Sequence, residues 1–179
     1  MRIVILTGMP GSGKSELANV FREEGYPVIV MGDVVRRETR KRGLEPNPTN
    51  TGRIMLELRD RFGPGAIARM CVDEIAALQS EIVVIEGCRS LAEVEEFSRL
   101  CDDVLLVCVH SSPKTRFRRL QSRGREDAPP DWKTFRERDL REISVGIGGV
   151  IALSDNMIIN EGDLESLREN GRRLMMELS

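Results

Sequence analysis

The chain has 179 residues, of which 40% are apolar and 31% charged, and its formal net charge is -2. This length suits one domain and is short for two, and the balance of apolar and charged residues excludes a disordered chain. A charge so near neutrality argues against a protein that coats nucleic acid, so nucleic acid is not an expected partner.

Membrane insertion and metal binding through cysteine are also disfavoured. The longest apolar run, residues 104–109, has six residues, whereas a helix that spans a bilayer needs about 20. No secretory signal pattern opens the sequence, so we expect no membrane association and a cytoplasmic location. The four cysteines, Cys71, Cys88, Cys101 and Cys108, form no C-x-x-C pair. We expect them to be reduced, with no zinc or iron–sulfur site.

Apolar runs rich in β-branched residues predict five strands, at residues 3–6, 28–31, 82–85, 104–109 and 157–159. Continuous runs of this kind are typical of strands covered on both faces. A helix-like stretch follows each run, and this alternation predicts a parallel sheet with helices on both sides. The expected fold is therefore α/β, with three αβα layers.

The strongest local signal follows the first predicted strand and has the form G-x-x-x-x-G-K-[ST]. Its residues are Gly8, Met9, Pro10, Gly11, Ser12, Gly13, Lys14 and Ser15. Glycines at these positions let consecutive backbone amides turn inward around a phosphate, at the positive end of the following helix. Lys14 would supply charge to the β- and γ-phosphates during catalysis, and Ser15 a hydroxyl ligand to Mg²⁺. The segment predicts a nucleoside triphosphate site.

Other motifs narrow the class of nucleotide-binding protein. The guanine-reading N-K-x-D of switch GTPases is absent, and the D-x-x-G at residues 60–63 follows a helical stretch rather than a strand. ATP is therefore favoured over GTP. A motor or an AAA-type ATPase would need a longer chain. A small kinase is the class that remains.

Two stretches interrupt the alternation of strands and helices. The first insertion, residues 33–80, is predicted to contain an arginine-rich helix over 33–42 and a helical pair broken at 63–65. The second insertion, residues 121–141, is rich in arginine. Excursions mounted on a rigid sheet are where substrate-binding elements and lids are found. We expect an acceptor site in the first insertion and a lid in the second, within one domain spanning residues 1–179.

Several segments resemble the adenylate kinase superfamily. Residues 32–36 are similar to its G-D-x-x-R, and residues 86–89 to its D-G-x-x-R, with the arginine one place early and the proline missing. Residues 119–125 and 136–141 resemble its lid arginines, and residues 155–162 its last strand and base-contacting loop. The whole chain most closely resembles an archaeal family of predicted nucleotide kinases, related to CMP/AMP kinases and dephospho-coenzyme A kinase. The resemblance implies a P-loop kinase fold with strand order 2-3-1-4-5.

Further candidate residues lie where strands are predicted to end. Arg36 and Arg89 would hold an acceptor phosphate, because guanidinium groups suit bidentate contacts with phosphate. Glu86 would face Mg²⁺. Asp33 has alternative roles: it would cap a helix that begins at Val34, organise water or Mg²⁺ for a phosphate acceptor, or assist deprotonation of a hydroxyl acceptor.

The second insertion supplies the remaining candidates. We expect a catalytic role for three of its arginines, with charged surface positions as the alternative for each: Arg123, Arg125 and Arg136. Mobile arginines and a closing lid suit phosphoryl transfer, which needs charge neutralisation and exclusion of water.

The predicted function is Mg²⁺-dependent transfer of the γ-phosphoryl group of ATP to a small nucleotide or nucleotide-like acceptor. That acceptor is either a nucleoside monophosphate or a molecule similar to dephospho-coenzyme A. The alternative is a nucleotide-binding regulator or slow ATPase that acts on a protein or RNA partner, which the basic stretch 114–125 favours. The oligomeric state does not follow from the sequence.

Overall fold

The computed structural model describes residues 1–124 and 128–178, without the side chain of Pro48. The strands in these ranges are β1 (Arg2–Thr7), β2 (Val28–Val30), β3 (Ile82–Glu86), β4 (Val104–His110) and β5 (Asn156–Ile159). The helices are α1 (Lys14–Glu23), α2 (Met31–Lys41), α3 (Pro48–Phe62), α4 (Ala66–Ala76), α5 (Leu91–Leu100), α6 (Pro113–Ser122), α7 (Trp132–Val145), α8 (Ile147–Ala152) and α9 (Leu164–Leu178).

The strands form one parallel sheet in the order β2-β3-β1-β4-β5. The predicted five-stranded parallel sheet and the strand order implied by the resemblance are both confirmed. In a sheet with this order, β1 lies between β3 and β4, so the loops that follow these three strands share one edge. Ligands of open parallel sheets bind at that carboxyl edge.

Side chains that alternate along the strands divide the core into two apolar layers. Ile3 and Ile5 of β1 pack on one face with residues of α4, α5 and α8. Val4 and Leu6 pack on the other face with residues of α1 and α9. The four side chains are fully buried, because a parallel sheet is covered on both sides. The predicted three layers are confirmed.

The start of α2 corrects two expectations. The strand β2 ends at Val30, so Met31 belongs to the helix rather than to the strand. The helix is capped by Val30, and Asp33 lies inside its first turn instead of preceding Val34. The carboxylate of Asp33 accepts hydrogen bonds from Arg36 rather than from a capping amide. Burial of the Met31 side chain, which is 3% exposed, favours the earlier helix start.

The predicted helical pair of the first insertion is confirmed as α3 and α4, which are separated at residues 63–65. Gly63 adopts φ +86° there, a conformation that L side chains rarely take. The second insertion begins in the last turn of α6 and ends within α7. Arg125 lies outside the described residues.

The four cysteines are free thiols, as predicted. Burial raises the pKa of Cys71 to about 12 and also raises the pKa of Cys88 and of Cys108. These thiols therefore stay protonated and pack as small apolar groups. Within the described ranges, no helix combines the length and the apolar character that crossing a membrane requires.

Candidate active site

The glycine-rich segment forms a loop between β1 and α1. Gly8, Gly11 and Gly13 have φ of +138°, +81° and +109°. A Cβ atom on Gly8 would lie 2.2 Å from the carbonyl oxygen of Val109, and one on Gly13 would lie 2.4 Å from Nδ2 of Asn160. Both the backbone conformation and the close approach of neighbouring atoms therefore require glycine at these positions.

The outer side of this loop is held by donors from elsewhere in the chain. Nδ2 of Asn160 donates to the carbonyl oxygen of Ser12 at 2.8 Å, and Nη1 of Arg116 donates to that of Pro10 at 3.1 Å. With these carbonyls directed outward, the loop is fixed in one shape at the start of α1. The first amides of an α-helix lack intrahelical acceptors, and in α1 the Glu16 amide is the first that bonds to Gly13. The loop and the helix end together therefore form an anion-binding cradle.

Lys14 folds back over this cradle. Its Nζ donates to the carbonyl oxygens of Gly8 at 2.7 Å and Met9 at 3.3 Å. Burial lowers the pKa of Lys14 from 10.5 to about 8, while the Glu86 carboxylate raises it and offsets part of that effect. The ammonium is therefore charged at neutral pH but is held in a poorly solvated position beside the loop.

Ser15 and Glu86 meet at the end of β3. The hydroxyl of Ser15 donates to Oε1 of Glu86 at 2.6 Å, and Glu86 is 8% exposed. The register of the sheet explains the contact, because Glu86 is paired with Leu6 at the end of β1, just before the loop. A hydroxyl and a carboxylate oxygen side by side are suitable ligands for Mg²⁺.

Asp33 and Arg36 form an ion pair on the first two turns of α2. Oδ1 of Asp33 accepts hydrogen bonds from Nε of Arg36 at 2.9 Å and from Nη2 at 2.5 Å. The two side chains are 50% and 41% exposed. Val30, which directly precedes α2, is paired with Glu86 in the sheet. The Asp33–Arg36 ion pair therefore lies about one helical turn beyond the edge of the sheet at which Glu86 ends β3.

Arg89 lies closer to the phosphate loop. It acts electrostatically on the ammonium of Lys14 and lowers the pKa of that group. Its Nε is 3.3 Å from Oε2 of Glu142, which α7 brings to this edge, and its Nη1 contacts Sδ of Met55 on α3 at 3.6 Å. Arg89 is therefore at the junction of the phosphate loop, the first insertion and α7.

Two of the three arginines predicted to be catalytic, Arg123 and Arg136, lie in the described part of the second insertion, and no contact that the structure shows joins either to the phosphate loop. Arg123 is exposed just beyond the end of α6. Arg136 is 48% exposed, and its Nη1 is 3.8 Å from Oδ2 of Asp139 on the same helix. Their catalytic roles stay predictions.

Sequence reasoning missed two acidic residues of α7. Asp139 forms a buried bidentate pair with Arg116, with N–O distances of 2.8 and 2.7 Å. Glu142 is 13% exposed in its side chain and faces Arg89. Asp139 and Glu142 are one helical turn apart and therefore share a face, but both lie in a stretch so rich in charge that no sequence pattern separates buried carboxylates from exposed ones.

The fold and the loop define a P-loop protein with a kinase fold. A family model described as an AAA domain matches residues 7–136. A UPF0200 protein of Hyperthermus butylicus is 46% identical over 177 residues, covering 99% of this chain and 95% of the relative. The chain belongs to the UPF0200 family and contains the AAA domain of that family model. The resemblance to an archaeal family with a P-loop kinase fold is thus confirmed.

Solved structures show the same fold. The protein TT1252 from Thermus thermophilus is 22% identical with a TM-score of 0.68, and the match covers 99% of this chain and 98% of TT1252. A shikimate kinase from Acinetobacter baumannii, solved with shikimate, is 11% identical with a TM-score of 0.61, over 100% of this chain and 95% of that one. At these identities the likeness establishes the kinase fold and leaves the substrate open.

Proposed function

We propose that the protein transfers the γ-phosphoryl group of ATP to a small nucleotide or nucleotide-like acceptor in the cytoplasm. The observation that carries this proposal is the meeting of three features at one sheet edge: the glycine loop with Lys14, the Ser15–Glu86 pair, and Arg89 at the entrance to the first insertion. A donor cradle beside a second, arginine-bearing compartment is the arrangement that in-line phosphoryl transfer needs.

On the donor side, the loop amides and the positive end of α1 would bind the β-phosphate, and Lys14 would reach the β- and γ-phosphates. Lys14 can turn to a ligand because its present partners are two carbonyls of the loop itself. As negative charge develops on the leaving oxygen, a nearby ammonium stabilises the transition state more than the ground state.

The residues that would hold Mg²⁺ are Ser15 and Glu86, and the bound ion would neutralise charge on the phosphate oxygens. Within residues 1–124 and 128–178, no cluster of three or more histidine, cysteine or acidic side chains offers a complete metal cage. A site of one hydroxyl and one carboxylate suits Mg²⁺, which keeps several waters and takes further ligands from the substrate phosphates.

On the acceptor side, Arg36 and Arg89 would orient the acceptor, with Asp33 beside them. The second insertion would close over both substrates and exclude water, bringing up its arginines Arg123, Arg125 and Arg136.

An acceptor screen tests the proposal. Purified protein is incubated with Mg-ATP and one of AMP, CMP, UMP, GMP, dAMP or dephospho-coenzyme A, and ADP formation is followed. We expect one class of acceptor to raise ADP formation at least about tenfold above the rate with ATP alone. A rate that no acceptor changes, but that RNA or a protein partner alters, would instead support the regulator or slow ATPase.

The lowered pKa of Lys14 predicts that affinity for Mg-ATP falls above about pH 8. The free protein loses the Lys14 proton near this pH, whereas a bound triphosphate favours the ammonium, so binding takes up a proton and affinity drops up to about tenfold per pH unit. A terminal phosphate has a pKa of about 6 and is already ionised there. Calorimetry from about pH 7 to about pH 9.5 measures the effect.

Lys14→Arg is the matched control for this prediction, because a guanidinium stays protonated over the whole range. Its affinity, although lower, should not change with pH. A wild-type affinity that is equally flat would contradict the lowered pKa of Lys14.

A further inference from the structure

The side chain of Glu142 has an unusual environment for a carboxylate. It is 13% exposed, and its Oε2 is buried without a hydrogen-bond partner among the described residues, although Nε of Arg89 lies 3.3 Å away. A buried carboxylate oxygen that accepts no hydrogen bond is costly, so such an atom is expected to have a donor in the working state of the protein.

Glu142 also lies at the donor end of the site. Its charge acts on the Lys14 ammonium and raises the pKa of that group, while Arg89 has the opposite effect. Lys14, Arg89 and Glu142 therefore lie within electrostatic range of one another. An acceptor held by Arg89 would lie next to Glu142, the ion-pair partner of Arg89, on its path toward Lys14.

The charges around this path are already matched. Arg36 is paired with Asp33, Arg89 with Glu142, and Lys14 faces Glu86. A phosphate acceptor would bring up to two further negative charges next to Glu86 and Glu142, and it would have to compete with carboxylates for the arginines. A hydroxyl acceptor brings no charge and offers the hydrogen that Oε2 lacks.

We propose that the acceptor is phosphorylated on a hydroxyl group and that Glu142 is the catalytic residue whose Oε2 receives the hydroxyl proton. This inference rests on the proposed kinase function and narrows its substrate class. The hydroxyl oxygen forms a bond to the γ-phosphorus while the bond from that phosphorus to the bridging oxygen of ADP breaks. ADP leaves with the bonding electron pair, the acceptor becomes a phosphate monoester, and the proton passes from Glu142 to water.

The chemical bond in the product tests the inference without any variant. Wild-type protein is incubated with Mg-ATP and dephospho-coenzyme A, AMP, CMP or shikimate, and the products are examined by ³¹P nuclear magnetic resonance. We expect a phosphate monoester from each acceptor that reacts, including any nucleotide. A phosphoanhydride as the only product would overturn the inference while leaving the kinase function intact. If label from γ-labelled ATP were found only in inorganic phosphate, both the hydroxyl inference and the kinase function would be overturned.

A pair of variants tests the residue. Glu142→Gln keeps the shape of the side chain but cannot take a proton, so kcat should fall about 10²- to 10⁴-fold with little change in the KM for ATP. Glu137→Gln, on the exposed face of the same helix, is the control and should keep wild-type kcat. Glu142→Asp should restore part of the rate.

Thermal unfolding and calorimetry with Mg-ATP separate chemistry from structure in these variants. We expect Glu142→Gln to fold and to bind Mg-ATP as the wild type does. A kcat equal to that of Glu137→Gln, or a loss that disappears once weakened ATP binding is taken into account, would overturn the role of Glu142.

Discussion

Replacing Lys14 by alanine is expected to weaken the binding of Mg-ATP strongly. The Nζ atom lies 2.7 Å from the carbonyl oxygen of Gly8 in the phosphate loop, and this ammonium would contact the β- and γ-phosphates. Truncating one partner of a close, desolvated charge pair costs about 2–5 kcal/mol. This corresponds to a loss of affinity of roughly 30-fold to several thousandfold.

Calorimetric titration of the Lys14→Ala variant with Mg-ATP measures this effect. The variant should fold normally, because removing an ammonium whose pKa burial has lowered relieves a desolvation cost. Lys41→Ala, at an exposed lysine that ends α2, is the matched control and should bind as the wild type does. Equal heats of binding for the two variants would remove Lys14 from the donor site.

Replacing Asp139 by alanine is expected to produce a large loss of stability. The guanidinium of Arg116 and the carboxylate of Asp139 are 4% and 3% exposed, and they join α6 to α7. Arg116 also lies over the ring of Phe135, 5.0 Å from its centroid. Breaking a buried pair by removing one partner leaves an uncompensated charge and costs about 3–5 kcal/mol, which lowers Tm by about 6–20 °C in a chain of this length.

Differential scanning calorimetry checks this prediction, with Glu137→Ala on the exposed face of α7 as control. The double variant Arg116→Met, Asp139→Leu should recover much of the lost stability, because it removes both charges and fills the space with apolar groups. A Tm for Asp139→Ala that matches the control would contradict the assigned burial. Weaker Mg-ATP binding is also expected, since Arg116 holds the carbonyl of Pro10 in the phosphate loop.

The sequence was sufficient to predict the layers of the fold and the phosphate loop, since both are encoded locally. A run such as 104–109 has no polar position to turn toward water, so it predicts a strand buried on both faces. The order of the strands needed the family resemblance, because apolar periodicity shows which face is covered and not which strand is adjacent.

The pairing of charged side chains could not be predicted, because it depends on contacts between distant parts of the chain. Glu142 becomes buried only because α7 packs on the loop that carries Arg89. This close packing is evident at Gly146, the residue that follows α7, where an added Cβ atom would lie 3.5 Å from the carbonyl oxygen of Arg89. The predicted start of α2 was wrong for a related reason. The preference of aspartate for helix caps predicts Asp33 as the cap, whereas burial of Met31 in the tertiary structure favours a helix that begins earlier.

Following the γ-phosphoryl group of ATP shows most directly whether the protein is a kinase. Protein and Mg-ATP labelled at the γ-position are mixed with each acceptor of the screen, and the label is separated into ATP, inorganic phosphate and acceptor. The kinase function predicts that label moves onto one class of acceptor in a one-to-one ratio with ADP formed. Label that enters inorganic phosphate at the same rate with and without acceptors would contradict it.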